Sequence, residues 1–163
     1  MEGNKYEIPF NAKNIDPKLM EALGRAVVMW AHVELAVSQI FIVLTGGNRA
    51  AMLVVTENTS MKNITKWIRT LIETKMHEPL DDDVLELMDE VDCLRDERNM
   101  FAHGLWQFDI ADDAATITTI KLERATILIH TVVTLADIEE FVSETVTVGN
   151  KLLEILKRVG AVK

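Results

Sequence analysis

The chain has a single cysteine, Cys93, so no internal disulfide can form and no set of thiolates can hold zinc. Proline occurs three times and glycine seven, too few for a collagen-like or low-complexity chain. Positive charge is also scarce. Seventeen Lys and Arg stand against 26 Asp and Glu, and the formal net charge of -9 excludes a protein that coats nucleic acid through a general basic surface, though not a small basic site. Apolar stretches such as Ala26 to Trp30 and Ile40 to Leu44 stop well short of the ~20 residues that span a bilayer. Met1 to Glu7 has neither the basic start nor the apolar core of a secretion signal. No membrane segment is expected, and the reading is a cytoplasmic protein.

What is there is apolar and helical. At 163 residues with 48% hydrophobic composition, the chain is the size of one domain and should bury about two thirds of its unfolded surface. The expected layout is an N-terminal extension over residues 1–15 and a single, mainly α domain over residues 16–163. Asp16-Pro17 reads as a helix cap with proline at the first helical position, and Gly46-Gly47 as the stop, which gives a first helix from about Pro17 to Thr45. Asn48 to Glu57 is a short helical candidate. Ser60 can cap a third helix with Met61, Ile64, Ile68, Leu71 and Ile72 on one face, ended by Pro79. Asp81-Asp82-Asp83 then favours the start of a fourth helix that carries Val84, Leu87, Val91 and Leu94, reaches His103 and closes at Gly104.

After Gly104 the pattern changes to short β-branched and aromatic runs, residues 105–110 and 116–121, around an Asp-Asp turn, which predicts a small β-hairpin at about 105–121. Ala125 to Val132 reads either as a third strand or as an extended lead into the next element. Thr134 with Asp137 matches a capping box, and Ile138, Val142, Thr145, Leu152, Ile155 and Val159 continue at helical spacing as the last helix.

Two of the apolar stripes each contain one charge. In the first helix Leu23, Val27, Trp30, Glu34, Val37, Phe41 and Leu44 alternate in fours and threes, with Glu34 the only ion; in the fourth, Val84, Leu87, Val91, Leu94, Arg98 and Phe101 do the same around Arg98. A lone buried charge costs several kcal/mol, so Glu34 and Arg98 either face each other or line a polar cavity. The alternative is that Glu34 sits at the edge of its helix because Ala26, Val33 and Ile40 offer another buried face, and that Arg98 snorkels. His103 follows Asn99 at the four-residue spacing, so Asn99 can orient its ring, or His103 simply caps the helix C-terminus.

Arg98, Asn99 and His103 together resemble the signature of the HEPN superfamily: an arginine and a histidine four to six residues apart, with a polar residue after the arginine, at the end of a late helix in an all-α core. Ala102 and Gly104 flank the histidine as in many members, and the Trp30 and Glu34 pair is similar to aromatic and acidic positions of bacterial members. The resemblance covers roughly Asp16 to Gly104. It implies a bundle of four or five helices that pairs as a homodimer, with the two motifs in a shared cleft, and a metal-independent endoribonuclease that needs no cofactor. Members include toxins, which have antitoxin partners, as well as RNA-processing and phage-defence proteins. His103 would transfer the protons, Arg98 would stabilise charge on phosphorus, Asn99 would hold His103 and Glu34 would orient Arg98. Trp106, just beyond, is either a stacking platform for an RNA base or part of the packing. One departure matters: where some HEPN toxins carry a tyrosine that a partner nucleotidyltransferase modifies, two residues after the histidine, this chain has Leu105.

Two other readings compete. Many family members have no nuclease activity and serve as nucleotide- or partner-binding dimers. Separately, Glu86, Asp89, Glu90, Asp92 and Asp96 have the spacings with which all-α nucleotide pyrophosphohydrolases hold magnesium, although Glu139, Glu140 and Glu144 make a poor second set. His32, His77, His103 and His130 show no metal-ligand spacing, and no protein metal site is expected.

Overall fold

The first helix begins and ends where its capping residues dictate. In the computed structural model, which describes residues 16–74, 82–108, 114–122 and 126–159, the Asp16 carboxylate accepts from the Lys18 N–H at 3.0 Å ahead of α1 (Pro17–Thr45). Gly46 closes α1 in the left-handed region at φ 59°, its N–H donating to the Val43 carbonyl. The Asn48 side chain accepts from the Ala50 and Ala51 N–H groups and starts α2 (Arg49–Glu57). Then come α3 (Met61–Glu73) and α4 (Asp82–His103). The expected stop at Pro79 and lead at Asp81 lie outside the described residues, as do the extension 1–15 and the Asp-Asp turn.

The expected hairpin is larger than its sequence signal. Strands β1 (Leu105–Phe108), β2 (Ala114–Leu122) and β3 (Thr126–Thr134) form an antiparallel sheet in the order β1-β2-β3. Of the two readings left open for the segment before the last helix, the strand is the observed one: β3 pairs along its whole length, from Ala114 opposite Thr134 to Leu122 opposite Thr126. Its β-branched content and the alternation of buried Val133 with exposed Val132 fit a strand with one face on the core. The sheet leads directly into α5 (Leu135–Arg158) through a complete Thr134–Asp137 capping box.

Ion pairs and ring contacts fix how the helices lie. Arg25 meets Glu139 at 3.4 Å and Val33 approaches Gly149, so α1 and α5 run side by side in the same direction. Phe101 stacks edge-on against Phe141 at 5.2 Å while Lys151 reaches Glu90 at 2.7 Å, which makes α4 antiparallel to α5. Thr65 to Asp92 and Arg69 to Asp89 make α3 antiparallel to α4 in turn. Trp30, Ile40, Ile64, Ile68, Met88, Phe141 and Leu152 fill the core between them.

The buried face of α1 combines part of the predicted stripe, Trp30, Val37, Phe41 and Leu44, with the alternative face of Ala26, Val33 and Ile40. Leu19, Ala22, Ala26, Trp30, Val33, Val37, Ile40, Phe41 and Leu44 face the core, and Val27 is 57% exposed. A strict seven-residue repeat drifts around a straight helix of 3.6 residues per turn, and α5 packs on the Val33 side. By length and composition α1 is also apolar enough to cross a membrane, a property that core helices share; less than half of its most apolar stretch is buried.

Candidate functional site at the end of the fourth helix

Helix α4 carries its apolar seam to within one turn of its end. Val84, Leu87, Val91, Leu94 and Phe101 are all buried, as their spacing requires, and Arg98 occupies the remaining place in that line, half-buried. Its Nε is buried with no hydrogen-bond partner among the described residues, while Nη1 donates to the Asn99 side-chain oxygen at 3.3 Å. The guanidinium therefore has its stem in the core and most of its donors uncommitted, an arrangement suited to receiving an anion.

His103 is exposed in the last turn of α4, and its imidazole has no hydrogen-bond partner among the described residues. Asn99, expected to hold that ring, accepts instead from Arg98. The two motif side chains thus share a helix end without touching. Glu34 is half-buried, and none of the ion pairs among the described residues joins it to Arg98. Ala26, Val33 and Ile40 are buried, which matches the alternative in which Glu34 sits at the edge of a helix that buries another face.

Trp106 packs inward. Its indole N–H donates to the Phe101 carbonyl at 2.9 Å and its ring lies 6.3 Å from that of Phe101, so it ties the start of β1 to the last turn of α4. This is the packing alternative for Trp106, whose side chain is partly buried against the core. Gly104, between helix and strand, is needed for closeness: a Cβ there would stand 2.1 Å from Ile117 Cγ2 and 2.6 Å from the Met100 carbonyl oxygen.

Beside the motif, a groove of about 620 Å³ runs between α4 and α5, floored by Leu94 and Val148 and edged by Glu86, Glu97 and Glu144. Burial, and then the nearby Glu144, Glu140 and Asp137, push the Glu97 carboxyl above its ordinary pKa. This side of the motif repels phosphate. The carboxylates whose spacing resembled a magnesium set are mostly committed elsewhere: Asp89 and Asp92 to Arg69, Asp92 and Asp96 to Arg95, Glu90 to Lys151. Among the described residues no three His, Cys, Asp or Glu side chains converge as a metal site.

Sequence reading passed over the opposite flank. On α3, Ile64, Ile68 and Ile72 are buried, but Trp67 is 38% exposed and lies off that face, with Lys62 and Lys66 exposed nearby. An aromatic residue out of phase with its helix's apolar repeat, just after two lysines, was the available signal. Compared with protein-family models, curated proteins and solved structures, the chain matches none.

Proposed function

We propose that the chain is a metal-independent endoribonuclease of the HEPN kind, working in a reducing cytoplasm as a homodimer whose two α4 ends share one cleft. The observation that carries this reading is Arg98: a guanidinium anchored in an apolar seam with uncommitted donors, five residues before an exposed histidine on the same helix. One imidazole takes the proton of an RNA 2'-hydroxyl, the 2'-oxygen attacks phosphorus, and the bond to the 5'-oxygen breaks as a second imidazole protonates it. Arg98 stabilises the charge on the non-bridging oxygens. The products are a 2',3'-cyclic phosphate and a 5'-hydroxyl. Asn99 supports Arg98 rather than His103, and the dimer supplies the second acid-base group that one chain lacks. Any antitoxin would be a further partner.

The test is incubation of wild-type and His103→Ala protein with total RNA in EDTA, with circular dichroism as the check on folding. Cleavage by the wild type alone is the expected result, and a substrate with 2'-deoxy sugars should be inert. The second reading is a dimeric module that binds a partner or a nucleotide without cleaving RNA; the anionic groove around Glu97 favours its partner-binding form, since that groove repels phosphate. It becomes the better account if neither protein cuts.

A further inference from the structure

The cations of this acidic chain are unevenly placed. Helix α3 holds Lys62, Lys66 and Arg69 against one carboxylate, Glu73, on a protein of net charge -9. Arg69 is bound to Asp89 and Asp92 at 2.7 and 2.8 Å. Lys62 and Lys66 are exposed and form no ion pair with a described residue. They stand one turn apart, about 6 Å along the axis, as two free charges in a row.

Trp67 lies around the helix from this row. Its ring rests on Phe41, with centroids 5.5 Å apart and planes tilted by 32°. Phe41 is buried at 5% exposure, whereas Trp67 keeps 38%. A core side chain thus props one side of the indole and leaves the other open, which fixes the ring before any ligand arrives. The short polar side chains of Asn63 and Thr70 occupy the surface between lysines and ring, both exposed. Cations that can follow a phosphate backbone beside a fixed aromatic face are what an unpaired strand requires: charge for the phosphates and a π-surface for a base.

The helix also points the right way. Because α3 and α4 are antiparallel, with Thr65 bonded to Asp92 at 3.0 Å and Arg69 to Asp89, the Lys62 end of α3 lies towards the Arg95 to Asn99 turn. The α4–α5 side of that turn is closed to phosphate by Glu97 and Glu144. On the α3 side the carboxylates of α4, Asp89, Asp92 and Asp96, are paired with Arg69 and Arg95, and Lys62 and Lys66 stand beside them without ion pairs among the described residues. We infer that the outer face of α3, through Lys62, Lys66 and Trp67, is the track by which a single-stranded segment of RNA reaches Arg98 and His103. The inference rests on the ribonuclease reading for its choice of RNA, but its test reads binding rather than cleavage.

The probe is a fluorescein-labelled 12-nucleotide single strand of mixed sequence, made both as RNA and with 2'-deoxy sugars so that binding can be read without turnover. Anisotropy is followed in EDTA over a salt series. Wild type is read on the 2'-deoxy form, which it cannot cleave, and should bind it with a measurable salt dependence. The pair Lys62→Glu and Lys66→Glu, exposed positions that leave the core untouched, should weaken binding at least about tenfold. Removing two phosphate contacts should lower the slope of log affinity against log salt by about 1.4. Trp67→Leu should weaken binding several-fold without changing that slope. Lys157→Glu, at the far end of α5, should bind as wild type does.

Wild-type affinity in the double variant, or in Trp67→Leu, overturns the track. So does displacement of the probe by a poly-glutamate peptide of the same length with equal strength, which would identify an acidic protein segment as the occupant. If the double variant loses binding and no protein cuts RNA, the track stands and the ribonuclease reading falls. If wild type cuts and the double variant cuts as fast at sub-saturating RNA, the track falls and the ribonuclease reading stands.

Discussion

Two glycines, nearly alike as sequence, have opposite physical meanings. Gly104 follows the last residue of α4, and a glycine there ordinarily signals a left-handed cap. The positive-φ glycine among the described residues is Gly46, however, and what Gly104 provides is room. A methyl group there meets Ile117 Cγ2 at 2.1 Å and the Met100 carbonyl at 2.6 Å. Neither can yield cheaply, since Ile117 is fully buried and the carbonyl is backbone. Gly104→Ala should therefore cost about 1–3 kcal/mol and lower Tm by roughly 3–10 °C in a thermal melt followed by circular dichroism. Gly24 lies on the exposed side of α1 with nothing within 4 Å of an added Cβ. Gly24→Ala should stabilise the protein by about 0.5–1 kcal/mol in the same melt, because alanine gives up less backbone freedom in a helix. If the two substitutions moved Tm in the same direction, the steric account of Gly104 would be wrong.

At the scale of elements, local chemistry was legible and side-to-side packing was not. Asp16 and the Thr134–Asp137 box cap their helices as their residue types predict, because a cap is an interaction within a few residues of one chain segment; Ser60 precedes α3 as expected, but its side chain makes no cap bond. The seam of α4 was equally readable: Val84, Leu87, Val91, Leu94 and Phe101 are buried at their predicted spacing. Helix α1 misled because nearly all of it is apolar. Its repeat could not say which face α5 would cover, so Glu34 could be read either as a buried charge or as an edge position, and it is half-buried. Trp106 was open for a related reason, since an aromatic residue beside a motif can be displayed or packed, and its bond to the Phe101 carbonyl is invisible in the sequence. The capping box gives a test that belongs to this scale. Asp137 is held below its ordinary pKa by the Thr134 backbone N–H and then by the Thr134 hydroxyl. A carboxyl shifted downwards adds stability that is present above its unfolded pKa and lost as pH falls through the folded value. Thr134→Ala should cost about 1 kcal/mol at neutral pH. The gap from wild type should narrow as the pH falls below the ordinary Asp range, and denaturant midpoints at pH 7 and pH 3 would show it; a gap unchanged between them would remove Asp137 from the account.

Over the whole molecule, the two flanks of α4 differ in which charges are left unpaired. On the α3 side the carboxylates Asp89, Asp92 and Asp96 are paired with arginines and Lys62 and Lys66 are in no ion pair among the described residues, whereas the α5 side gathers Glu86, Glu97 and Glu144 with Lys151 already paired to Glu90. Net charge alone could not reveal this, since the sum hides the separation, and the motif's meaning depends on which flank a phosphate can use. The acidic flank has a consequence for stability with a definite sign. Burial first, then Glu144, Glu140 and Asp137, raise the Glu97 carboxyl above its unfolded value. Between the two values the native protein holds more protons than the unfolded chain, so this group's contribution declines as pH rises and is fully unfavourable above the raised value. Glu97→Gln removes that charge while keeping the side chain's shape. The variant should be more stable than wild type at pH 7.5, by less than about 1 kcal/mol because the group is partly solvated. The advantage should shrink as the pH falls through the raised value of Glu97 and vanish where wild-type Glu97 is itself protonated. Urea midpoints of the two proteins from pH 4 to pH 7.5 isolate the group, because every other carboxylate is common to both. A constant difference across that range would mean that glutamine acts through packing, and the anionic character assigned to the α4–α5 flank would lose its support.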